Sequence, residues 1–417
     1  MRQEQLRERR SPRGGRRFHI SMRERPSYLK GRECAARLRE IRGNTVGRVA
    51  LAGVLFLFAS LARADWPMLG GGPTHVGVAQ SGPQKLVVKW STTLGASVDS
   101  SPAVQGDRVY VGTSDGELCA LRRDGGEVVW RFPTAGAVVS SPAVDANSLY
   151  FGSVDRHIYC LTLDGKLRWR YRTWGPVVGS PTVAEGMVFC GSMDGTMTAL
   201  DPATGEMHWQ YQEKKGVVCA PAVGAGLVVY GDHSGTVLAR RADTGALAWS
   251  AASPNAVRAS PVIAGGTVVV PYRSYTALKP PKVDYLVAYD LQTGARQWAQ
   301  NGEASVFTTP AVAEGVVYFG HVEGYLSQTE MRAVRLADGK LLWKQRFAPL
   351  MVASSPVVAG DRLFIGMGDG TVYALRLSTG STLSRLTLAP RLYSSAAVSG
   401  GHLFIGASDG KLYCLGE

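Results

Sequence analysis

Residues 109–131 read Val109-Tyr-Val-Gly-Thr-Ser-Asp-Gly-Glu-Leu-Cys-Ala-Leu-Arg-Arg-Asp-Gly-Gly-Glu-Val-Val-Trp-Arg131. Three short apolar runs stand out: Val109 to Gly112, Leu118 to Leu121 and Val128 to Arg131. An Asp-Gly turn at Asp115-Gly116 separates the first two. Short β-branched and aromatic runs with period two, bounded by Asp-Gly or Thr-Gly, are antiparallel strands joined by hairpins. With the Ser-Pro strand just upstream, at Pro102, the unit has four strands.

The unit repeats. A Ser-Pro or similar dipeptide recurs at Pro102, Pro142, Pro181, Pro221, Pro261, Pro310 and Pro356, with Ser395-Ala396 as an eighth copy, at spacings of 40, 39, 40, 40, 49, 46 and 40 residues. Trp recurs in the same phase at Trp90, Trp130, Trp169, Trp209, Trp249, Trp298 and Trp343, and a Gly stands four residues before all but the first. A four-stranded sheet of this size cannot bury both faces alone and must stack on its neighbours, so the repeat predicts propeller blades. The eighth unit ends after Leu412-Tyr-Cys-Leu415, three strands in, and Leu86-Val-Val-Lys-Trp90-Ser91 is a Trp strand with no preceding three. Pairing the two would close the ring and remove two open edges. The expectation is an all-β, eight-bladed propeller of four-stranded antiparallel blades, closed by an N-terminal strand. Ser384 stands where the seventh blade's Trp belongs, so looser docking is expected there.

Composition agrees with one large folded unit. The chain has 417 residues, 45% hydrophobic and 19% charged, with 50 Gly, which excludes wholesale disorder. The net charge of +13 is uneven: residues 1–64 carry 16 of the 46 basic and 5 of the 33 acidic groups, leaving residues 65–417 close to neutral at +2. A protein that tracks phosphates needs its cations on the folded body, so nucleic acid is not an expected partner. The apolar run Val49 to Ala62 follows Arg42 and Arg48 and precedes Ala62-Arg-Ala64. A basic flank, a short apolar core and a small-x-small site make a secretory signal peptide, and the run is too short to span a bilayer. Residues 1–64 are expected to be a signal peptide with a long basic extension, and residues 65–417 the propeller. No Cys stands at the cleavage point for acylation, so a soluble periplasmic or secreted body, without stable membrane insertion, is expected.

The runs Ala199-Leu-Asp-Pro-Ala-Thr-Gly-Glu-Met-His-Trp209 and Ala288-Tyr-Asp-Leu-Gln-Thr-Gly-Ala-Arg-Gln-Trp298 resemble the tryptophan docking motif of the quinoprotein (PQQ-like) β-propeller repeat superfamily. Asp65-Trp-Pro-Met-Leu-Gly70 resembles the opening segment common in that group. The resemblance covers residues 65–417 and implies a structural, blade-stacking role for the seven Trp named above. It implies less about function, because the superfamily holds alcohol and sugar dehydrogenases as well as non-catalytic scaffolds of the BamB type.

The dehydrogenases are known for calcium held by Glu, Asn and Asp, a vicinal disulfide and a catalytic Asp. No Cys-Cys pair occurs here, and Asn147, Asn255 and Asn301 are the only asparagines after the leader. Cys119, Cys160, Cys190, Cys219 and Cys414 make an odd count with no C-x-x-C and read as small buried hydrophobes. His75, His157, His208, His233, His321 and His402 are scattered without an i, i+4 pair, and no hydrolase, P-loop or zincin motif is present. No catalytic residue, metal site or cofactor is assigned.

Binding residues are expected at two places. The residues three before each Pro sit near the channel mouth: Asp99, Val139, Val178, Val218, Arg258, Phe307, Ala353 and Tyr393. The charged pair Asp99 and Arg258, with Phe307 and Tyr393 between them, suits a small polar ligand or a peptide carboxylate, set against a channel merely plugged by side chains and water. The second place is the rim. Units five and six carry extra length between their second and third strands, with Tyr272, Arg273, Tyr275 and Tyr285 in one and His321 and Tyr325 in the other. Tyr and Arg are enriched at protein interfaces, and the Pro280-Pro281 pair stiffens the first loop. The resulting expectation is an exported, non-catalytic scaffold that binds another protein of the cell envelope. The alternative is a propeller that binds a quinone or other small ligand.

Overall fold

The computed structural model describes residues 65–273, 283–302, 304–323, 328–347 and 352–417. They form eight sheets in chain order, each built of antiparallel strands adjacent in sequence, except that the seventh and eighth also take a strand from the N-terminal segment. Blade 1 is typical: Ala103–Gln105, Arg108–Gly112, Glu117–Arg122 and Val128–Pro133. The middle strands are buried almost throughout, since both of their faces lie against neighbouring blades. Only the outermost strand keeps the alternation of a half-wet sheet. The apolar clusters accordingly lie between blades, as where Tyr110 and Leu118 of blade 1 pack with Phe151 and Tyr159 of blade 2.

Each of the seven repeat tryptophans acts across a blade junction. The indole N–H of Trp90 donates to the Arg123 carbonyl at 3.0 Å, Trp130 to Leu163 at 3.1 Å, Trp169 to Pro202 at 3.0 Å, and Trp209 to Ala242 at 2.8 Å. Trp249 donates to Leu291 at 2.7 Å, Trp298 to Leu336 at 2.6 Å and Trp343 to Leu377 at 2.9 Å. The recurrent Gly is the other half of the joint. Gly245, at φ +70°, lies under the ring of Trp209, and a Cβ there would meet Cδ2 at 2.7 Å. Seven junctions share this joint. Ser384 has no indole to offer blade 8, and its buried hydroxyl finds no partner.

The ring closes as expected. Val88–Thr93 pairs antiparallel with Lys411–Leu415, with Trp90 opposite Cys414. The largest apolar cluster spans this seam, joining blades 7, 8 and 1.

Residues 65–79 add a feature that the repeats do not announce. The innermost strand of every blade has an unpaired edge facing the channel, and its N–H groups need acceptors. The N-terminal strap passes along these edges. Pro67 O accepts from Val144 of blade 2 at 2.8 Å, Pro73 O from Val223 of blade 4 at 2.7 Å, Thr74 O from Ile263 of blade 5 at 3.0 Å, and Val76 O from Val312 of blade 6 at 2.8 Å. Trp66 bridges Val104 of blade 1 in both directions, and Val78–Ala79 adds a parallel fifth strand to blade 7. One end of the channel is thereby crossed by main chain.

The docking joint makes a stability prediction. Gly245→Ala and Gly266→Ala both place a side chain at positive φ, at a cost of roughly 1–3 kcal/mol, but a Cβ at Gly266 meets nothing within 4 Å. Urea unfolding should show Gly245→Ala destabilised beyond Gly266→Ala; equal losses would mean that the indole does not rest on the glycine.

Candidate functional site

The channel is built from the residues preceding each repeat proline. In seven of eight blades this residue is Ser or Thr, and its hydroxyl accepts the amide N–H of the equivalent residue in the previous blade. The links run Ser101 to Ser141 (3.0 Å), Ser141 to Ser180 (2.9 Å), Ala220 to Ser260 (3.0 Å), Ser260 to Thr309 (3.1 Å), Thr309 to Ser355 (3.1 Å), Ser355 to Ser395 (2.9 Å) and Ser395 back to Ser101 (3.0 Å). The belt has one gap, because Ala220 presents no hydroxyl to the amide of Ser180.

A cavity of about 200 Å³ opens beside the gap. Leu69 of the strap lies at its base, Ser180 and Ala220 are in its wall, and Val218, Arg258, Phe307, Ala353 and Tyr393 form its collar. Three of the four expected channel-mouth residues, Arg258, Phe307 and Tyr393, therefore come together. Asp99 does not: it is absent from the lining, and its carboxylate accepts the Ser97 hydroxyl at 2.6 Å. Arg258 has no carboxylate within ion-pair distance among the described residues. The cavity also contains Thr308, 5% exposed, whose hydroxyl has no partner. Burial, reinforced by the positive charge of Arg258, lowers the pKa of the nearby His233.

The rim is arranged differently from the expectation. Loops entering each blade and turns between its second and third strands do share one face, as the bonds Ser114 N–H to Ser97 O and Arg273 N–H to Ala256 O show. However, part of the extra length of units five and six lies in longer strands, with Val283–Asp290, Val316–Glu323 and Gln328–Arg335 each eight residues long. Tyr285 and His321 lie within these longer strands, Tyr272 directly follows the ordinary strand Thr267–Pro271, and all three are buried rather than displayed. The Tyr272 hydroxyl meets that of Tyr289 at 2.9 Å, and Tyr285 OH accepts from Arg332 at 3.0 Å while its ring meets His321 edge-on. Below them Glu330, 1% exposed, is surrounded by Arg332, Lys344 and Arg346. Despite the opposing effect of burial, these cations pull its pKa down to about 2. Arg273 moves from rim to channel mouth, with its guanidinium 4.5 Å from the centre of the Phe307 ring. Tyr275 and Tyr325 lie outside the described residues.

Sequence reasoning missed Leu69, Ser180, Ala220 and Thr308. The signal for the gap was present, since Ala220 breaks a column otherwise of Ser and Thr. All five described cysteines are free and buried. Burial pushes the thiols of Cys119, Cys160, Cys190 and Cys414 up to about 12, far from nucleophilic.

A calcium-bound quinone, which the wider fold superfamily implies, does not fit these residues. No three His, Cys, Asp or Glu side chains converge among the described residues. The cavity lining has hydroxyls, amides and a guanidinium but no carboxylate, so it offers a hard cation no charged oxygen ligand.

His75 anchors the strap below the cavity, with Nδ1 3.3 Å from Pro261 O and Nε2 3.3 Å from the Thr182 hydroxyl. Burial, partly offset by the Pro261 bond, lowers its pKa to about 4; burial and the charge of Arg332 lower that of His321 to about 3. The folded state thus rejects protons that the unfolded chain binds below about pH 6.5. Stability is full above that pH and falls as acid approaches the folded values, by roughly 3 kcal/mol for His75 at pH 4. Denaturant midpoints should drop between pH 6.5 and pH 4, and His75→Gln should lose less over that range. An identical pH dependence in the variant would remove His75 as a cause.

The comparisons with known proteins agree on the ring. A family model described as outer membrane protein assembly factor BamB matches residues 87–162, 123–321 and 261–391. BamB from Moraxella catarrhalis superimposes with a TM-score of 0.65 at 20% identity, over 80% of this chain and 98% of that one. The quinohemoprotein alcohol dehydrogenase ADHIIG from Pseudomonas putida HK5 gives 0.70 at 14% identity, over 85% and 80%. The computationally designed protein Ika8 gives 0.66 at 17%, over 78% and 98%. No curated protein matches the chain. At these identities the solved structures establish the fold alone; with three overlapping family matches spanning most of the ring, the chain belongs to the BamB family of PQQ-like β-propellers.

Proposed function

We propose that this propeller is an exported, non-catalytic scaffold that binds another protein of the bacterial cell envelope through its loop-bearing face. The observation that carries the reading is Trp174, 84% exposed in the loop entering blade 3. Met193 and Val154, 45% and 37% exposed, stand in neighbouring turns on the same face. The other exposed apolar residues mostly recur blade by blade two residues before each docking Trp, as Leu167, Met207 and Leu247 do, and so belong to the repeat. Trp174 does not recur.

Its loop is held rigidly. Asp194 Oδ2 accepts the amides of Trp174 and Gly175 at 2.9 and 3.0 Å, and Met193 N–H donates to Pro176 O at 3.0 Å. A large aromatic side chain on a fixed backbone loses little entropy on binding, which is the character of an interface anchor. Lys214 and Lys215 are exposed on the next loop of the same face and favour a partner with acidic residues beside its apolar contact. Similarity to BamB supports envelope localisation, and among the described residues no helix is long and apolar enough to cross a membrane.

A photo-crosslinking amino acid at Met193 should capture one envelope protein in intact cells, whereas the same probe at Val129, on an outer strand, should not. Trp174→Ala should reduce capture about tenfold or more, the loss expected for an anchor worth roughly 2 kcal/mol. Undiminished capture would reject this surface. Stoichiometric uptake of pyrroloquinoline quinone with calcium, together with dye reduction, would replace the scaffold reading with a redox one.

A further inference from the structure

The gap in the hydroxyl belt coincides with the channel cavity. At the other junctions an amide donor is answered by the next blade's hydroxyl, but the Ser180 amide faces Ala220 across the cavity wall. A second donor, the Thr308 hydroxyl, is more than nine-tenths buried in the same cavity and has no partner. Arg258 supplies one positive charge at the collar with no carboxylate in reach among the described residues. Unanswered buried donors are costly and are ordinarily met by water or ligand.

We propose that this cavity binds a small monocarboxylate, as a free acid or as the C-terminus of a peptide. Its carboxylate would sit between the Arg258 guanidinium and the two unanswered donors, with its apolar part against Phe307 and Tyr393. The charge balance selects the class. Within the lining, one guanidinium and two neutral donors match a single planar negative group, and Arg273, whose guanidinium lies over the Phe307 ring, adds a further cation at the mouth that favours an anion. The lining contains no anion, so an ammonium ion has no counter-charge there. The volume of about 200 Å³ far exceeds what one ordered water needs. Main chain of the strap crosses the far end, so entry is from the mouth, where the aromatic rings of Phe307 and Tyr393 would meet the rest of the ligand.

Three probes test this by calorimetry on the mature chain: N-acetylphenylalanine, its C-terminal amide, and a pentapeptide ending in free Phe, each up to about 10 mM, enough to detect millimolar affinity. The free acid should bind one to one and the neutral amide should not. Binding of the pentapeptide would place the source in peptide ends, and its exclusion would place it in free acids. Arg258→Gln should weaken binding at least about tenfold, the scale of a lost charge-assisted contact. Ala220→Ser, which supplies the missing hydroxyl to the Ser180 amide, should weaken it severalfold while leaving the melting curve intact. Absence of binding by the acid, equal affinity for the amide, or unchanged affinity in Arg258→Gln would overturn the proposal. Unchanged affinity in Ala220→Ser would remove the belt gap from the site.

Discussion

The indole-to-carbonyl joint between blades is the constraint on which the rest of the molecule depends. A blade exposes two apolar faces, and hydrophobic contact alone is non-directional, so it would let neighbouring sheets slide. One hydrogen bond from each Trp to a fixed carbonyl, with a glycine under the ring, sets both the spacing and the register of the next sheet. Repeating the same joint seven times makes the wedges alike, which a closed ring requires. The eighth junction lacks the indole, and the chain compensates with unrelated contacts. Arg362 of blade 7 donates to Gln84, and a Cβ on Gly82 would come within 2.9 Å of the Phe364 ring, so the segment before the closing strand is tied to the blade with the weak joint.

Ring closure and channel closure are separate tasks performed by adjacent stretches of the same segment. Residues 88–93 complete a sheet, whereas residues 65–79 satisfy inner edges. The second task decides what the channel can be. Main chain across one end turns a pore into a cup, and everything that enters must pass the loop-bearing face. The two proposed sites therefore share a face because the opposite side of the axis is already occupied.

Much of this was legible in the sequence because propeller determinants are local and periodic. Trp, the glycine four residues earlier and the Ser-Pro dipeptide keep one phase, and phase counts blades. The strap was not legible: its bonds come from main-chain carbonyls of residues 67–76, each to a different blade, and a backbone acceptor leaves no signature in residue type. Nor could length alone distinguish a longer loop from longer strands. Tyr272, Tyr285 and His321 have interface-like identities, yet all three are buried: the strands of Tyr285 and His321 continue past the usual turn, and Tyr272 directly follows a strand of ordinary length. Arg258, Phe307 and Tyr393 were found because their position relative to the repeat proline fixes where they point. Asp99 obeyed the same rule and still missed the cavity, since the open space lies toward blades 3 to 8 rather than toward blade 1.

Donor chemistry separates this ring from the dehydrogenases that share its shape. Redox use of a bound quinone needs a cation to polarise a carbonyl and a carboxylate to move a proton. The cavity lining here offers amides, hydroxyls, aromatic rings, a thiol and a guanidinium, and no carboxylate. Such a lining suits an anion, and the cysteine in its wall, Cys219, is held protonated by burial. A cup whose lining presents a positive charge and unanswered donors is suited to recognition of a negatively charged group, and recognition is also what a rigid face bearing one exposed tryptophan provides.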